Sequence, residues 1–262
     1  MRPSSGPAPV VAPPARNFTL VTSDRLRIGA SYWPGRMPRA PGVLLLHGFG
    51  ASRVAVAPLA AWLGGQGFAV LAIDFRGHGT SDQVPRGLGA TETPDARAGF
   101  DWLKARQQGG RIAILAISQG GAAVLSGRGG PIPADALVLQ AVYPDLRRAI
   151  RNRIAWIAGR PIAWLGEPFL SYQAPLRFGR WPGSVAPVEA VRGYDGPVFV
   201  LGGGADPFTP PAETRLLCRA VPHCLDFWIV PGLDHFAMAD LDSPAYRARL
   251  AAFLNATLGA PR

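Results

Sequence analysis

Ser118 stands where a strand pattern gives way to a helix pattern. The segment 116–121 reads AISQGG, and residues 111–117, which are apolar after Arg111, predict a strand that runs directly into this serine. Small residues two positions before and two positions after a serine permit the sharp turn that lifts a nucleophilic hydroxyl out of a sheet. The amide N–H groups of the following helix then point at the group under attack. Ser118 is therefore a candidate nucleophile.

A serine hydroxyl needs a base, because it is a weak nucleophile until a neighbouring group takes its proton. The sequence contains four histidines. His235 suits this role, because it lies in a predicted loop after the last strand and so at the same edge of the sheet as Ser118; a solvent-facing loop histidine is the alternative. We expect His223 at the opposite edge and His78 holding a glycine-rich loop by hydrogen bonds.

The base needs an acid that fixes its tautomer and stabilises the imidazolium. Asp206 lies in the loop that follows the predicted strand 198–201. The chain order serine, aspartate, histidine suits a nucleophilic serine at a strand-to-helix turn. Asp145, which follows the preceding strand, is the rival acid. Asp234 adjoins His235 in sequence, and we expect it to cap a turn instead.

The loop 47–50 is the candidate for the backbone part of the site, which would stabilise negative charge on the group under attack. It reads HGFG and follows the solid apolar strand pattern of residues 42–46. Its glycines let the backbone approach a substrate closely. The backbone N–H groups of Phe49 and Gln119 are the candidate oxyanion-hole donors for a tetrahedral intermediate, whereas we expect His47 to brace the loop.

The pattern of elements predicts an α/β fold. Residues 18–22 and 26–33 predict two paired strands around a turn, and strands and helices alternate from residue 42 onward, which favours a doubly wound, mostly parallel sheet. The further predicted strands are 68–74, 111–117, 136–142, 198–201 and 225–230, and the predicted helices are 54–63, 95–107, 212–218 and 244–258.

Two segments depart from this alternation. Residues 1–16 are rich in proline and predict a flexible tail. Residues 144–195 show no strand pattern and predict a small, mainly helical cap or lid, since long irregular connections are usually functional. The α/β core is then 17–143 together with 196–262. The aromatic residues of the predicted cap are Trp156, Trp164, Phe169, Tyr172, Phe178 and Trp181.

The predicted cap allows two interpretations of its aromatic and basic residues. The aromatic side chains suggest an apolar acyl or alcohol pocket, but Trp156 and Trp164 suit equally well the buried face of a cap helix. The arginines of this segment could recruit anionic substrates, although a solvated helix face is the favoured interpretation. These arginines are Arg147, Arg148, Arg151 and Arg153.

Composition excludes several classes of protein. The chain has 262 residues, of which 48% are hydrophobic and 17% charged, enough to fill the core of one α/β domain. No apolar run approaches the roughly 20 residues of a membrane span. The net charge is +10, yet Lys104 is the only lysine and the arginines are scattered. Without a recognisable nucleic-acid-binding motif, we expect no nucleic-acid partner.

The two cysteines, Cys218 and Cys224, are too few for a disulfide framework or a structural zinc site. No segment has the apolar core of a secretory signal. We therefore expect a cytoplasmic protein with reduced, half-buried thiols, which would pair if the chain were exported. No metal site is expected.

Together these landmarks resemble the α/β-hydrolase superfamily. They are the loop 47–50, the segment 74–79 (DFRGHG), the turn at Ser118, Asp206 and the segment 234–236 (DHF), and the resemblance extends from residue 42 to about residue 258. The one departure is Ala116, where the family usually has glycine. The resemblance implies an eight-stranded sheet with its second strand antiparallel, a cap after strand six and no cofactor.

Within that superfamily, a chain with serine at this turn resembles the serine esterase and lipase-like branch with a short cap. The expected reaction is hydrolysis of carboxylic esters with small to medium acyl groups through an acyl-enzyme, with a small-molecule ester as the substrate. A serine peptidase or a thioesterase of the same superfamily is the first alternative. A non-catalytic scaffold that binds a ligand is the alternative of a different class.

Overall fold

A computed structural model describes residues 11–261 of the chain, so most of the predicted tail 1–16 lies outside the described residues. Eight strands form one sheet in the order β1-β2-β4-β3-β5-β6-β7-β8. β1 and β2 pair antiparallel, β2 also runs antiparallel to β4, and all other neighbours are parallel. The predicted doubly wound α/β fold is confirmed. The strands are β1 (Arg16–Val21), β2 (Arg27–Trp33), β3 (Gly42–Leu46), β4 (Ala69–Ile73), β5 (Ile112–Ile117), β6 (Ala136–Gln140), β7 (Val198–Gly203) and β8 (Cys224–Val230).

Helices cover both faces of this sheet. The central strands are buried along their whole length, as expected for parallel strands that pack on two faces. The helices are α1 (Ala57–Gly65), α2 (Thr93–Gln107), α3 (Gln119–Leu125), α4 (Leu146–Ala158), α5 (Arg160–Ser171), α6 (Ala174–Phe178), α7 (Pro187–Ala190), α8 (Pro211–Ala220), α9 (His235–Ala239) and α10 (Pro244–Leu258).

The alternation of side chains along β3 shows how the two layers form. Leu44 and Leu46 belong to the core that includes Leu103 of α2. Val43 and Leu45 point to the other face, into the core that includes Leu250 of α10. Burial of apolar surface on both faces, worth about 25 cal/mol per Å², stabilises the sheet between its two layers of helices.

Element ends follow local chemistry. α10 begins and ends as predicted, with Ser243 capping its first turn and a proline in that turn. α1 begins at Ala57, three residues later than predicted, also with a proline in its first turn. β6 ends at Gln140, earlier than predicted, because Ala141 has a φ of +52°, which ends the extended conformation.

The segment between β6 and β7 is helical, as predicted, and its role as a cap stays a prediction. α4 and α5 pack against each other and meet at Gly159, whose φ is +87°; residues 146–171 are called the α4–α5 hairpin below. Trp156 and Trp164 are 61% and 60% exposed. The interpretation of these two tryptophans as the buried face of one helix is therefore wrong.

The cysteines also differ from expectation. Cys218 at the end of α8 and Cys224 at the start of β8 form a disulfide, with their Cα atoms 5.8 Å apart. The expectation of reduced thiols is wrong, because the helix-to-strand turn brings these residues within disulfide range. The cytoplasmic location stays a prediction. Among the residues that the structure describes, every helix is too short or too polar to cross a bilayer.

Glu167 joins the two helices of the α4–α5 hairpin. Its buried carboxylate pairs with Arg147 and Arg151 of α4 at 2.7 and 2.8 Å, and it accepts a hydrogen bond from Ser171 at 2.6 Å. Burial alone would raise the pKa of Glu167, but the hydrogen bonds from these three side chains outweigh it and lower the pKa to about 2. The ionised form therefore stabilises the folded hairpin.

We predict that Glu167→Gln lowers the free energy of unfolding by about 1–3 kcal/mol at about pH 7, because charge-assisted hydrogen bonds are lost. The stabilisation by ionised Glu167 is complete above the ordinary glutamate pKa of 4.5 and is lost as the pH falls towards about 2. Urea unfolding at about pH 7 and about pH 3 should therefore show a smaller difference between variant and wild type in acid.

The matched control is Glu189→Gln. The Glu189 carboxylate pairs with Arg192 three residues later, and both side chains are well exposed. We expect little effect at either pH, since exposed ion pairs contribute little. An equal effect of the two substitutions would contradict the role given to Glu167.

Candidate active site

The predicted site residues lie at the carboxyl edge of the sheet. Ser118 follows β5 directly, Asp206 lies in the turn after β7, and His235 comes after β8. Contrary to the predicted loop position, His235 is the first residue of the short helix α9. The reason is that the Asp234 carboxylate accepts a hydrogen bond from the Ala237 N–H at 2.8 Å and caps that helix.

The turn at Ser118 is sharp and tightly packed. Ser118 has φ +49° and ψ −111°, a conformation that a residue with a side chain rarely adopts. A Cβ on Gly120 would lie 3.0 Å from the Leu46 carbonyl oxygen, and one on Gly121 would overlap Val142. The small residues after the serine thus allow α3 to leave β5 at this angle.

Three side chains form a continuous chain of hydrogen-bonding distances. Ser118 Oγ lies 3.2 Å from His235 Nε2, and His235 Nδ1 lies 2.7 Å from Asp206 Oδ2. The second Asp206 oxygen accepts from the Phe208 and Thr209 N–H groups, both at 2.8 Å. These contacts hold the carboxylate so that Nδ1 carries the proton and Nε2 faces the serine as an acceptor.

The rival residues lie elsewhere. The Asp145 carboxylate accepts from the Arg148 N–H at 2.8 Å and caps α4. Asp234 caps α9, as predicted. His223 lies just before β8, at the opposite edge of the sheet from Ser118.

Gln140, which was not predicted as a site residue, connects the turn at Ser118 to α9 and α10. Its carbonyl oxygen accepts from the Ser118 N–H at 2.8 Å. Its side-chain amide donates to the Met238 carbonyl of α9 and accepts from the Tyr246 hydroxyl of α10 at 3.0 Å. The turn that carries the serine is thereby connected to the helix that carries His235. A polar residue at the end of a buried strand was the available signal.

The loop 47–50 lies against this turn. A Cβ placed on Gly48 would lie 3.6 Å from the Ser118 Cβ. Within the described part of the chain, the N–H groups of Phe49 and Gln119 have no hydrogen-bond acceptor. Gln119 is the first residue of α3, where an N–H points out of the helix. These two donors are therefore available to an anion next to Ser118.

Two buried histidines support the loop. His47 Nε2 accepts from the Phe75 N–H at 3.0 Å, and His78 Nε2 accepts from the Gly50 N–H at 3.2 Å. Burial lowers the pKa of His47 to about 4 and also lowers the pKa of His78. Both rings are therefore neutral near neutral pH and accept these hydrogen bonds, which agrees with the bracing roles expected of them.

Asp74 connects the loop that follows β3 to the loop that follows β4. Its buried carboxylate accepts from the Arg53 N–H at 2.7 Å and from the Thr80 N–H at 2.8 Å, and it forms an ion pair with the buried Arg53 guanidinium. Arg53 follows the loop 47–50, and Thr80 follows the segment 74–79. One carboxylate therefore fixes the loops after β3 and β4 relative to each other.

Ser118 and His235 open into a cavity of about 290 Å³. Phe208 packs against the His235 ring at 5.3 Å between centroids, and Phe236 packs against Phe208 at 5.6 Å. Neither phenylalanine was predicted to line the site, although Phe208 is two residues after Asp206 and Phe236 belongs to the segment 234–236. The cavity is lined by Gly48, Phe49, Ala51, Ile117, Ser118, Arg153, Trp156, Ile157, Phe208, His235, Phe236 and Ala239.

A second cavity is lined by residues other than the predicted site residues. A larger surface cavity of about 460 Å³ is lined by residues such as Arg76, Arg128 and Arg180, and by none of the predicted site residues. Within residues 11–261, no group of three or more His, Cys, Asp or Glu side chains is arranged to bind a metal ion.

Comparison with known proteins agrees with this architecture. Residues 43–250 match the model of the alpha/beta hydrolase family. No curated protein matches the sequence. Among solved structures, an esterase from Pyrococcus furiosus is similar, with a TM-score of 0.73 and 22% identity over 94% of this chain and 92% of that one.

Two further solved structures have the same fold. An esterase from Thermogutta terrifontis has a TM-score of 0.72 at 18% identity, over 95% of this chain and 94% of that one. An alpha/beta hydrolase from Penicillium has a TM-score of 0.71 at 19% identity, over 94% of this chain and 99% of that one. At these identities the likeness concerns the fold.

We predict that Asp74→Asn lowers the free energy of unfolding by roughly 3–5 kcal/mol, because it leaves the buried Arg53 guanidinium without its counter-charge. Thermal and urea unfolding measure the loss. Asp82→Asn is the control, since Asp82 pairs with the well-exposed Arg27 side chain; it should change stability little. A loss no larger than in that control would show that Asp74 is not an anchor.

Proposed function

We propose that this chain, which belongs to the alpha/beta hydrolase family, is a serine hydrolase that cleaves carboxylic esters with small to medium acyl groups. The observation that carries the proposal is the aligned set of Ser118, His235 and Asp206, with separations of 3.2 and 2.7 Å. The hydroxyl at its end lines a mostly apolar cavity of about 290 Å³, a setting typical of small-molecule sites.

In the proposed reaction, Ser118 Oγ attacks the ester carbonyl carbon while His235 Nε2 takes the hydroxyl proton. Asp206 stabilises the imidazolium that forms. The tetrahedral oxyanion accepts hydrogen bonds from the Phe49 and Gln119 N–H groups, each worth typically ~10²–10³ in rate. The C–O bond then breaks, and His235 gives its proton to the departing alcohol.

The second half of the reaction releases the acid. Water attacks the acyl-enzyme carbonyl and gives one proton to His235, a second tetrahedral oxyanion forms at the same two N–H groups, and its collapse breaks the bond to Ser118. His235 returns the proton to Ser118 Oγ, so the free enzyme is restored. These steps use only groups of this chain and water.

The α4–α5 hairpin supports an ester with a compact apolar portion. Trp156 and Ile157 contribute to the cavity that contains Ser118, so we propose that the segment 144–195 acts as a cap over the carboxyl edge. Nearby aromatic and aliphatic side chains favour an apolar acyl or alcohol group. The expected partner is a small-molecule ester.

We predict that Ser118→Ala abolishes hydrolysis of p-nitrophenyl acetate and butyrate, with kcat falling by up to ~10⁶. Ser126→Ala at the other end of α3 is the control, because the Ser126 hydroxyl is buried without a partner among the described residues. Equal turnover by Ser118→Ala and wild type would contradict the assignment. Labelling of wild type by a serine-reactive phosphonate, with no label on Ser118→Ala, tests the nucleophile separately from the choice of ester.

The acid is tested by a pair of matched substitutions. Asp206→Asn should lower kcat by ~10⁴, because the wrong imidazole tautomer then faces the serine. Asp145→Asn should have a small effect, because Asp145 caps α4. Circular dichroism verifies that both variants fold. A larger loss in Asp145→Asn would reverse the assignment of the acid, and near-normal turnover by His235→Ala would exclude the triad.

A further inference from the structure

Arg153 differs from the other arginines of α4. Arg147 and Arg151 pair with Glu167, and Arg148 pairs with Asp145. In the part of the chain that the structure describes, no carboxylate pairs with Arg153. Its one hydrogen bond runs from Nη1 to the Ala149 carbonyl of its own helix, at 2.8 Å, which leaves most of its N–H donors available.

Arg153 lines the same cavity as Ser118 and His235. Its guanidinium lies over the Phe208 ring at 5.1 Å from the centroid, and Phe208 packs directly against the His235 ring. One aromatic ring therefore separates this cation from the proposed base. Apart from the histidine, every other residue lining the cavity is uncharged.

The guanidinium of Arg153 is partly buried without a hydrogen-bonded counter-charge. Burial lowers the pKa of Arg153, and the charge of the Asp206 carboxylate partly offsets this effect, yet a guanidinium stays protonated at physiological pH. The Asp206 carboxylate already accepts hydrogen bonds from His235 and from two backbone N–H groups. A partly desolvated cation without a hydrogen-bonded anion is unfavourable, and an anionic ligand in the cavity would remove that penalty.

We propose that Arg153 binds a carboxylate of the substrate, so that the preferred esters carry a carboxylate close enough to the scissile ester to share the 290 Å³ cavity. This inference rests on the proposed ester hydrolysis. A guanidinium offers two parallel N–H donors to a carboxylate, which fixes the position of the bound group as well as its charge. The apolar side chains around it would contact the carbon chain between carboxylate and ester.

The first experiment compares each charged ester with a neutral ester of the same carbon chain, and the rate for a dimethyl ester is halved because it carries two equivalent ester groups. In the acyl arm, monomethyl glutarate and monomethyl adipate are compared with their dimethyl esters. In the alcohol arm, 5-acetoxypentanoate is compared with pentyl acetate. The readout is the ratio of kcat/KM for the charged ester to that for the neutral ester, and the arm with the higher ratio identifies the half of the substrate that carries the carboxylate.

Arg153→Gln should lower this ratio ten- to a hundredfold, the effect expected for a lost charge-assisted hydrogen-bonded pair. Arg153→Lys retains the charge without the paired donors and should retain part of the preference. Arg148→Gln removes one positive charge from the same helix, outside the cavity, and should leave the ratio as in the wild type. An unchanged ratio in Arg153→Gln overturns the proposal, including the case in which Arg153 acts on Asp206 and both esters lose rate equally.

A binding measurement separates this inference from the proposed function. Calorimetry with monomethyl adipate on Ser118→Ala, with and without Arg153→Gln, requires no turnover. The double variant should bind at least tenfold more weakly, and equal affinity would overturn the carboxylate subsite. Failure of the wild type to hydrolyse any ester would instead overturn the proposed reaction, whereas the binding result would still decide the role of Arg153.

Discussion

The loops at the carboxyl edge of the sheet, where the candidate active site lies, depend on the contacts of the buried Asp74 carboxylate. Parallel strands end at this edge in loops, and loops bury too little apolar surface to fix their own positions. Asp74 holds the loop that follows β3 through Arg53 and the loop that follows β4 through Thr80. The neutral rings of His47 and His78 add hydrogen bonds between the same two loops. The proposed oxyanion donor Phe49 is therefore positioned by polar contacts buried beneath it.

The other half of the site is positioned through Gln140. This residue lies at the end of β6, between the strand that leads to Ser118 and the strand that leads to Asp206. Its contacts to the Ser118 N–H, the Met238 carbonyl and the Tyr246 hydroxyl connect three separate elements. Because the sheet is rigid and both halves are attached to it, the distances between the proposed nucleophile, base and acid depend little on the α4–α5 hairpin above them.

Local pattern and strand order were enough to predict most of the fold. β3 and α10 have the predicted bounds because apolar runs, a proline and a capping serine all act within a few residues. Ser118, Asp206 and His235 were predictable as neighbours because parallel strands bring their carboxyl ends to one edge. Which of the α4 arginines lines the cavity, the contacts of Gln140 and the exposure of Trp164 were not predictable, since each depends on how separate elements pack. The disulfide likewise depends on a turn whose geometry the cysteine spacing does not determine.

The backbone at Ser118 imposes a conflict between stability and activity at a single residue. Its φ of +49° suits glycine, whereas the proposed reaction requires a hydroxyl-bearing side chain at that point. Holding a side chain in such a conformation costs of the order of 1–3 kcal/mol. A descendant of this chain that no longer needed catalysis could therefore become more stable by acquiring glycine there. Selection for stability alone would favour replacing the serine at position 118, whereas the proposed reaction would favour keeping it.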